Sequence, residues 1–353
     1  MVVIKCSDNG HLAFINETSL RVYDLRKLSL VHKFSFASQE SNGEISKVEN
    51  DFEKEQKTTF TYGCQFSNSG KFLAAFSDSK DLVVLKTDDW QSVGKRKLPK
   101  RPTAVLFTNK EDSVVISDKS GDVYSYHLSE ENGLSNEALL LGHVSIILDM
   151  VITRDDCYII TADRDEKIRV SKFPNSYNIK TFCLGHTEFV WKIILLSNLS
   201  NEILVSVSGD GTIRFWDYKV GKTLYINDFE TSTTNKEKSV ISSLACSQRN
   251  RIVFVGVEGS SVLHAFKVDD SSTIEHLLSS KDLVLDGEIC GMDVDKDNHL
   301  WVIQSSKNQP VVIFEICEEN GTYKFKKQCS WCSFLTSEDI KFINDGIKIV
   351  LVQ

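Results

Sequence analysis

The residue types able to do chemistry in this 353-residue chain fall into three groups: paired histidine and carboxylate positions, a short cysteine pair and two dense runs of charge. His143, Thr161 and Asp165 recur at similar spacing as His186, Ser206 and Asp210, which brings an imidazole, a hydroxyl and a carboxylate together twice. Cys329 and Cys332 form a Cys-x-x-Cys pair, but a structural zinc needs four ligands and no second pair lies nearby. A redox dithiol would sit beside a βαβ pattern, which is also missing, so both read as ordinary thiols. Asp163-Arg164-Asp165-Glu166-Lys167 is charged throughout, and Lys95-Arg96-Lys97-Leu98-Pro99-Lys100-Arg101 carries five basic residues in seven positions. There is no phosphate-binding loop, no Gly-x-Ser-x-Gly elbow, no His-Glu-x-x-His and no strand-following Gly-x-Gly-x-x-Gly. No residue is therefore assigned to catalysis or to a metal, and no cofactor is expected on this chain.

The elements that position these groups are legible as repeats. Leu141-Gly142-His143 is followed by Thr161-Ala162-Asp163-Arg164-Asp165, and Leu184-Gly185-His186 by Ser206-Val207-Ser208-Gly209-Asp210. The two Gly-His pairs lie 43 residues apart, and the second copy ends in Phe215-Trp216-Asp217. Period and Trp-Asp ending match the WD repeat, whose unit is one four-stranded propeller blade. In that repeat a His, a strand Ser or Thr, a turn Asp and the Trp indole form a buried hydrogen-bond chain, because an unpaired buried polar group costs about 1 to 3 kcal/mol. The fifth blade has the full set in His186, Ser206, Asp210 and Trp216. The fourth has His143, Thr161 and Asp165 but Ser171 at the Trp position, which predicts an incomplete network.

Weaker copies surround these two. Short β-rich runs with turn residues between them fill residues 2–36, 60–98, 102–141, 240–283 and 288–328, and in the first of these Tyr23-Asp24 stands in for Trp-Asp. The expected fold is all-β: a seven-bladed WD-repeat β-propeller forming a single domain over residues 1–353. Residues 38–58 are acidic and polar, and are expected to be a disordered insertion between the first two blades. The β-prone end, residues 347–352, is expected to supply a strand that closes the ring against the N-terminal blade.

Composition narrows the function classes. Apolar residues at 41% and charged residues at 25% suit a globular core. A net charge of -8 argues against a surface that is basic overall, so any nucleic-acid contact must be local or supplied by a partner. Lys5 and Asp8 interrupt any apolar leader, and no run approaches the roughly 18 apolar residues of a membrane helix. Nine scattered cysteines fit reduced thiols in the nucleus or cytoplasm.

The two strong repeats differ most at one turn. Ser208-Gly209-Asp210-Gly211-Thr212 of the fifth blade becomes Asp163-Arg164-Asp165-Glu166-Lys167 in the fourth, exchanging two glycines and two hydroxyls for charges. Glycine suits a tight turn, so its replacement gives up conformational ease. A solvated hairpin tip is one explanation, since surface ion pairs are worth only about 0 to 1 kcal/mol. Contact with a partner is the other. Asp165 and Arg169 match Asp210 and Arg214 and so have a place within the repeat, whereas Glu166 and Lys167 do not.

Residues 141–190, with Ile160 to Ser171 and Phe182 to Val190 as the densest stretches, resemble the non-catalytic WD-repeat subunit of the tRNA (guanine-N7) methyltransferase. Ser171 in place of the Trp also resembles that family's fourth blade. The resemblance implies a heterodimer of the nucleus, with the cytoplasm as a second compartment, whose separate catalytic subunit binds S-adenosylmethionine and methylates N7 of a variable-loop guanosine in tRNA. It implies that Lys167 and Arg169 face carboxylates of that partner, with Arg164, Asp165 and Glu166 in the same contact. The basic run Lys95, Arg96, Lys97, Lys100 and Arg101 is open to three readings: a tRNA phosphate contact, an import signal, or a solvated connection between blades. A general WD-repeat scaffold of another complex, and an enzyme with its site in the channel, are the competing functions.

Overall fold

The structure is a computed structural model that describes residues 3–16, 19–36, 61–197, 202–229, 239–277, 283–319, 322–328 and 331–350. Among them, four-stranded antiparallel sheets run through residues 3–34, 61–97, 102–142, 147–183, 190–228, 241–277 and 289–327, each built from consecutive strands. These are the seven blades. The acidic insertion at 38–58 and Cys329 lie outside the described residues.

Within a blade the second strand is the most deeply enclosed. All six residues of Phe72–Ser77, Ile203–Ser208, Ile252–Val257 and His299–Gln304 are buried, because neighbouring blades cover both faces. Short, nearly continuous apolar runs bounded by turns are the sequence form such burial demands. The core accordingly sits between blades: Val205 and Phe215 of the fifth pack with Val253, Val255 and Phe266 of the sixth. Polar side chains tie neighbouring blades together at their first turns. Asn9 donates to the Gly70 carbonyl at 2.7 Å, Asn109 to Thr153 at 2.8 Å and Gln248 to Leu195 at 2.6 Å.

The innermost strands surround a central channel of about 920 Å³. Two carboxylates along it have defined partners. Lys192 meets Asp149 at 2.9 Å, and the Asp293 carboxylate accepts the Cys6 backbone N–H at 2.8 Å, which joins the seventh blade to the first.

Ring closure departs from the sequence expectation. The first and seventh blades each use only their own strands, and residues 337–350 form helix α1 (Ser337–Val350) instead of a closing strand. The reason lies just upstream of the β-prone end. Ile340, Ile343 and Ile347 recur with helical spacing, and Thr336 and Asp339 form a reciprocal cap at the helix start. Phe342, Ile343 and Ile347 pack in one cluster with Leu12 and Phe14 of the first blade and Trp301 and Ile313 of the seventh. Asp339, 3% exposed, also accepts the Tyr23 hydroxyl at 2.5 Å and pairs with Arg21. Helix α1 thus latches the seam from outside the sheets.

Candidate docking site on the fourth blade

The fifth blade supplies the reference geometry. His186 Nδ1 lies 2.9 Å from Asp210 Oδ2 and its Nε2 lies 2.8 Å from Ser206 Oγ, to which the Trp216 indole donates at 2.8 Å. Burial pushes the Asp210 carboxyl up, but the bonds from His186 and Thr212 outweigh it and hold the group well below the usual carboxylate range. Burial also lowers His186, so the imidazole is held neutral.

The fourth blade consists of Ile147–Ile152, Tyr158–Asp163, Ile168–Lys172 and Ile179–Cys183. His143 Nε2 meets Thr161 Oγ1 at 2.8 Å, as its spacing predicts. Its Nδ1, however, meets Asp163 Oδ2 at 2.9 Å, so the carboxylate in the network is Asp163 and not Asp165. Asp163 stands at the position of Ser208, the last residue of the second strand, where a carboxylate reaches both the imidazole and the turn. Its Oδ1 accepts the backbone N–H of Asp165 and of Lys167, each at 2.9 Å. Burial raises this carboxyl, and the bonds from His143 and the turn backbone more than reverse the shift. A single buried carboxylate therefore shapes the charged turn.

Arg169 also differs from what the resemblance implied. Its side chain is buried, and its guanidinium donates to Ser171 Oγ at 2.8 Å, the Gly142 carbonyl at 3.0 Å and the Ser176 carbonyl at 2.9 Å. It is spent inside the blade because Ser171 leaves the space that an indole would fill. Burial lowers its pKa, and these three acceptors are what keep the cation tolerable there.

Arg164, Asp165, Glu166 and Lys167 are all exposed. Glu166 has φ 66°, as Gly211 has φ 81° in the fifth blade, so the same turn is built without glycine at a cost of about 1 to 2 kcal/mol. Among the described residues none of the four forms an ion pair within the chain. The Lys167 ammonium reaches only the Asp165 carbonyl, at 3.1 Å. A strained, rigid turn carrying unmatched charge is suited to electrostatic recognition of another surface.

The basic run is split by its fold. Lys95, Arg96 and Lys97 end the outer strand of the second blade, Ser92–Lys97. Lys97 pairs with Asp81 at 3.0 Å, and the Arg96 guanidinium lies over the Tyr126 ring of the third blade at 5.6 Å. Lys95 and Lys100 are exposed, while Arg101 is half-buried. Burial pushes the Cys64, Cys183 and Cys246 thiols up to about 12, away from the reactive thiolate.

Comparison with known proteins bears on this geometry. The family model described as the tRNA methyltransferase TRM82 WD40 domain matches residues 23–138 and 127–324. The chain is 33% identical over 308 residues to the human tRNA (guanine-N(7)-)-methyltransferase non-catalytic subunit WDR4, covering 86% of this chain and 71% of that protein. This chain belongs to that family. The zebrafish member is 36% identical over 305 residues, covering 85% and 71%, and the mouse member 38% over 257 residues, covering 70% of this chain and 60% of its own length. These relatives are named as non-catalytic subunits, in agreement with the reading of the chain as an accessory protein rather than an enzyme. Solved WD40 propellers, including U3-55K and the RRP9 WD40 repeats, superpose with a TM-score of 0.68 at 16% and 17% identity over 86% of the chain, covering 88% and 87% of theirs. At that identity they speak to the fold alone.

Proposed function

We propose that this chain is the docking subunit of a tRNA (guanine-N7) methyltransferase heterodimer, binding and stabilising a catalytic subunit that modifies a variable-loop guanosine. The observation that carries the reading is the exposed turn Arg164-Asp165-Glu166-Lys167, held by Asp163 and without an ion-pair partner among the described residues. A partner surface with a carboxylate opposite Lys167 and basic groups opposite Asp165 and Glu166 would complete those charges. Coupling between close interface charges is worth about 1.5 to 7 kcal/mol, well above a solvated pair. Arg169 acts on this contact by holding the blade beneath it. S-adenosylmethionine and the methyl-transfer chemistry belong to the partner, and the heterodimer works in the nucleus and also in the cytoplasm.

The basic run adds a tRNA contact in this reading. Lys95 and Lys100 face solvent and would meet phosphates, with Arg96, Lys97 and Arg101 contributing to the local potential. The test is reconstitution. Neither subunit alone should methylate tRNA at full rate, and the pair should; a catalytic subunit equally active and equally stable alone would remove the case. Neutralising Lys95 and Lys100 should flatten the salt dependence of tRNA binding by the complex, and an unchanged slope excludes a phosphate role.

A further inference from the structure

Two apolar side chains bracket the charged turn. Ile168 is paired with Cys183 at the start of the third strand, so the next residues outward, Lys167 and Leu184, lie side by side. On the inner side the Arg164 backbone N–H bonds the Ile146 carbonyl at 2.9 Å, which brings the loop carrying Val144 against the other flank. From rim to axis, the end of the blade therefore reads Leu184, the charged turn, then Val144. Val144 is 106% exposed and Leu184 61% exposed, although Leu141, the counterpart of Leu184 in the preceding repeat, is 5% exposed.

A single exposed leucine needs no explanation. Two that flank a strained turn of unmatched charge are arranged as an interface is: apolar anchors supply attachment, and charges set register and exclude wrong partners. We propose that Val144 and Leu184 are apolar anchors for the catalytic methyltransferase subunit, an inference that rests on the docking role given above. The occupant is a surface of that subunit that presents carboxylate to Lys167 and an apolar side chain on each side of it. Any body that covers the turn closely enough to pair Lys167 also covers its register neighbour Leu184. Water is thereby excluded from the ion pair, which raises its worth.

The experiment measures the affinity of the full chain for the purified catalytic subunit at about 0.1 M and about 0.5 M salt, between which exposed charge is largely screened. Val144→Ser and Leu184→Ser should each weaken binding about tenfold at both salt levels, while Leu184→Met binds as the parent does. Melting temperatures should not move, since both side chains are already exposed. Parent-like affinity in both serine variants overturns the anchors. Lys167→Glu, run alongside, judges the docking turn separately: a loss of binding there with intact serine variants leaves a purely electrostatic contact.

Discussion

Arg169 Nε donates to Ser171 Oγ at 2.8 Å in the fourth blade, at the place where the fifth blade sets the Trp216 indole against Ser206. The exchange turns an aromatic pin into a cationic one, and the turn above it into a charged surface. Truncation tests how much the blade depends on it. Arg169→Ala strands the buried Ser171 hydroxyl and Ser176 carbonyl, each costing about 1 to 3 kcal/mol when unpaired, and frees the exposed Gly142 carbonyl to water. Urea unfolding should show a loss of roughly 3 kcal/mol, little of it recovered by Arg169→Lys, whose single ammonium cannot serve three diverging acceptors.

The seam between the first and last blades gives a second prediction. Asp339 holds Thr336, Tyr23 and Arg21 together, and removing one partner from a buried charged cluster typically costs about 3 to 5 kcal/mol. Asp339→Ala should lower the melting temperature and speed amide exchange in residues 3–6, 11–16 and 299–304. Binding to the catalytic subunit should persist, because the fourth blade lies across the ring. Uniform exchange through all blades would mean that α1 is not the latch.

Acid should weaken the fold in a defined window. Burial lowers His11, His32, His186, His264 and His276 from the ordinary value, so below about 6.5 the unfolded chain takes up protons that the folded one refuses. Their stabilisation is present above that pH and fades as it falls. Four groups oppose this. Burial pulls His299 down but its bond to Asp295 raises it on balance, which favours the folded state at lower pH, and burial raises Asp8, Asp118 and Asp293. With five histidines against these four, the melting temperature should drop between about pH 7 and pH 5, and His186→Gln should shrink the drop. A flat profile would show that the imidazoles titrate alike in both states.

How much of this was legible in the sequence depends on the kind of signal. The blades announced themselves because burial on both faces forces runs such as Ile252-Val253-Phe254-Val255, and because His186 and Trp216 occupy fixed places in a hydrogen-bond chain. Helix α1 was hidden, since its last residues are β-prone while the isoleucine spacing that makes it helical begins earlier. Assigning Asp165 to the network followed from aligning it with Asp210. Geometry chose Asp163 because a carboxylate one strand end closer reaches His143 and the turn amides at once. The match to Arg214 gave Arg169 a place within the repeat and the resemblance gave it an interface role; its guanidinium contacts fit the former. One available clue was Ser171 itself: a blade that loses an indole must fill the volume, and a long side chain two residues away on the same face can do so. The apolar anchors carried no sequence signal, since Leu141 and Leu184 occupy the same place in the repeat and only the fold separates their exposure.

The measurement that bears most directly on the account is the affinity of Lys167→Glu for the catalytic subunit, taken at about 0.1 M salt, where surface charge still counts. The turn is exposed and Lys167 uses only a carbonyl within its own loop, so the variant should melt with the parent while binding at least tenfold more weakly. Parent-like affinity in a fully folded variant would contradict the assignment of this turn as the docking point.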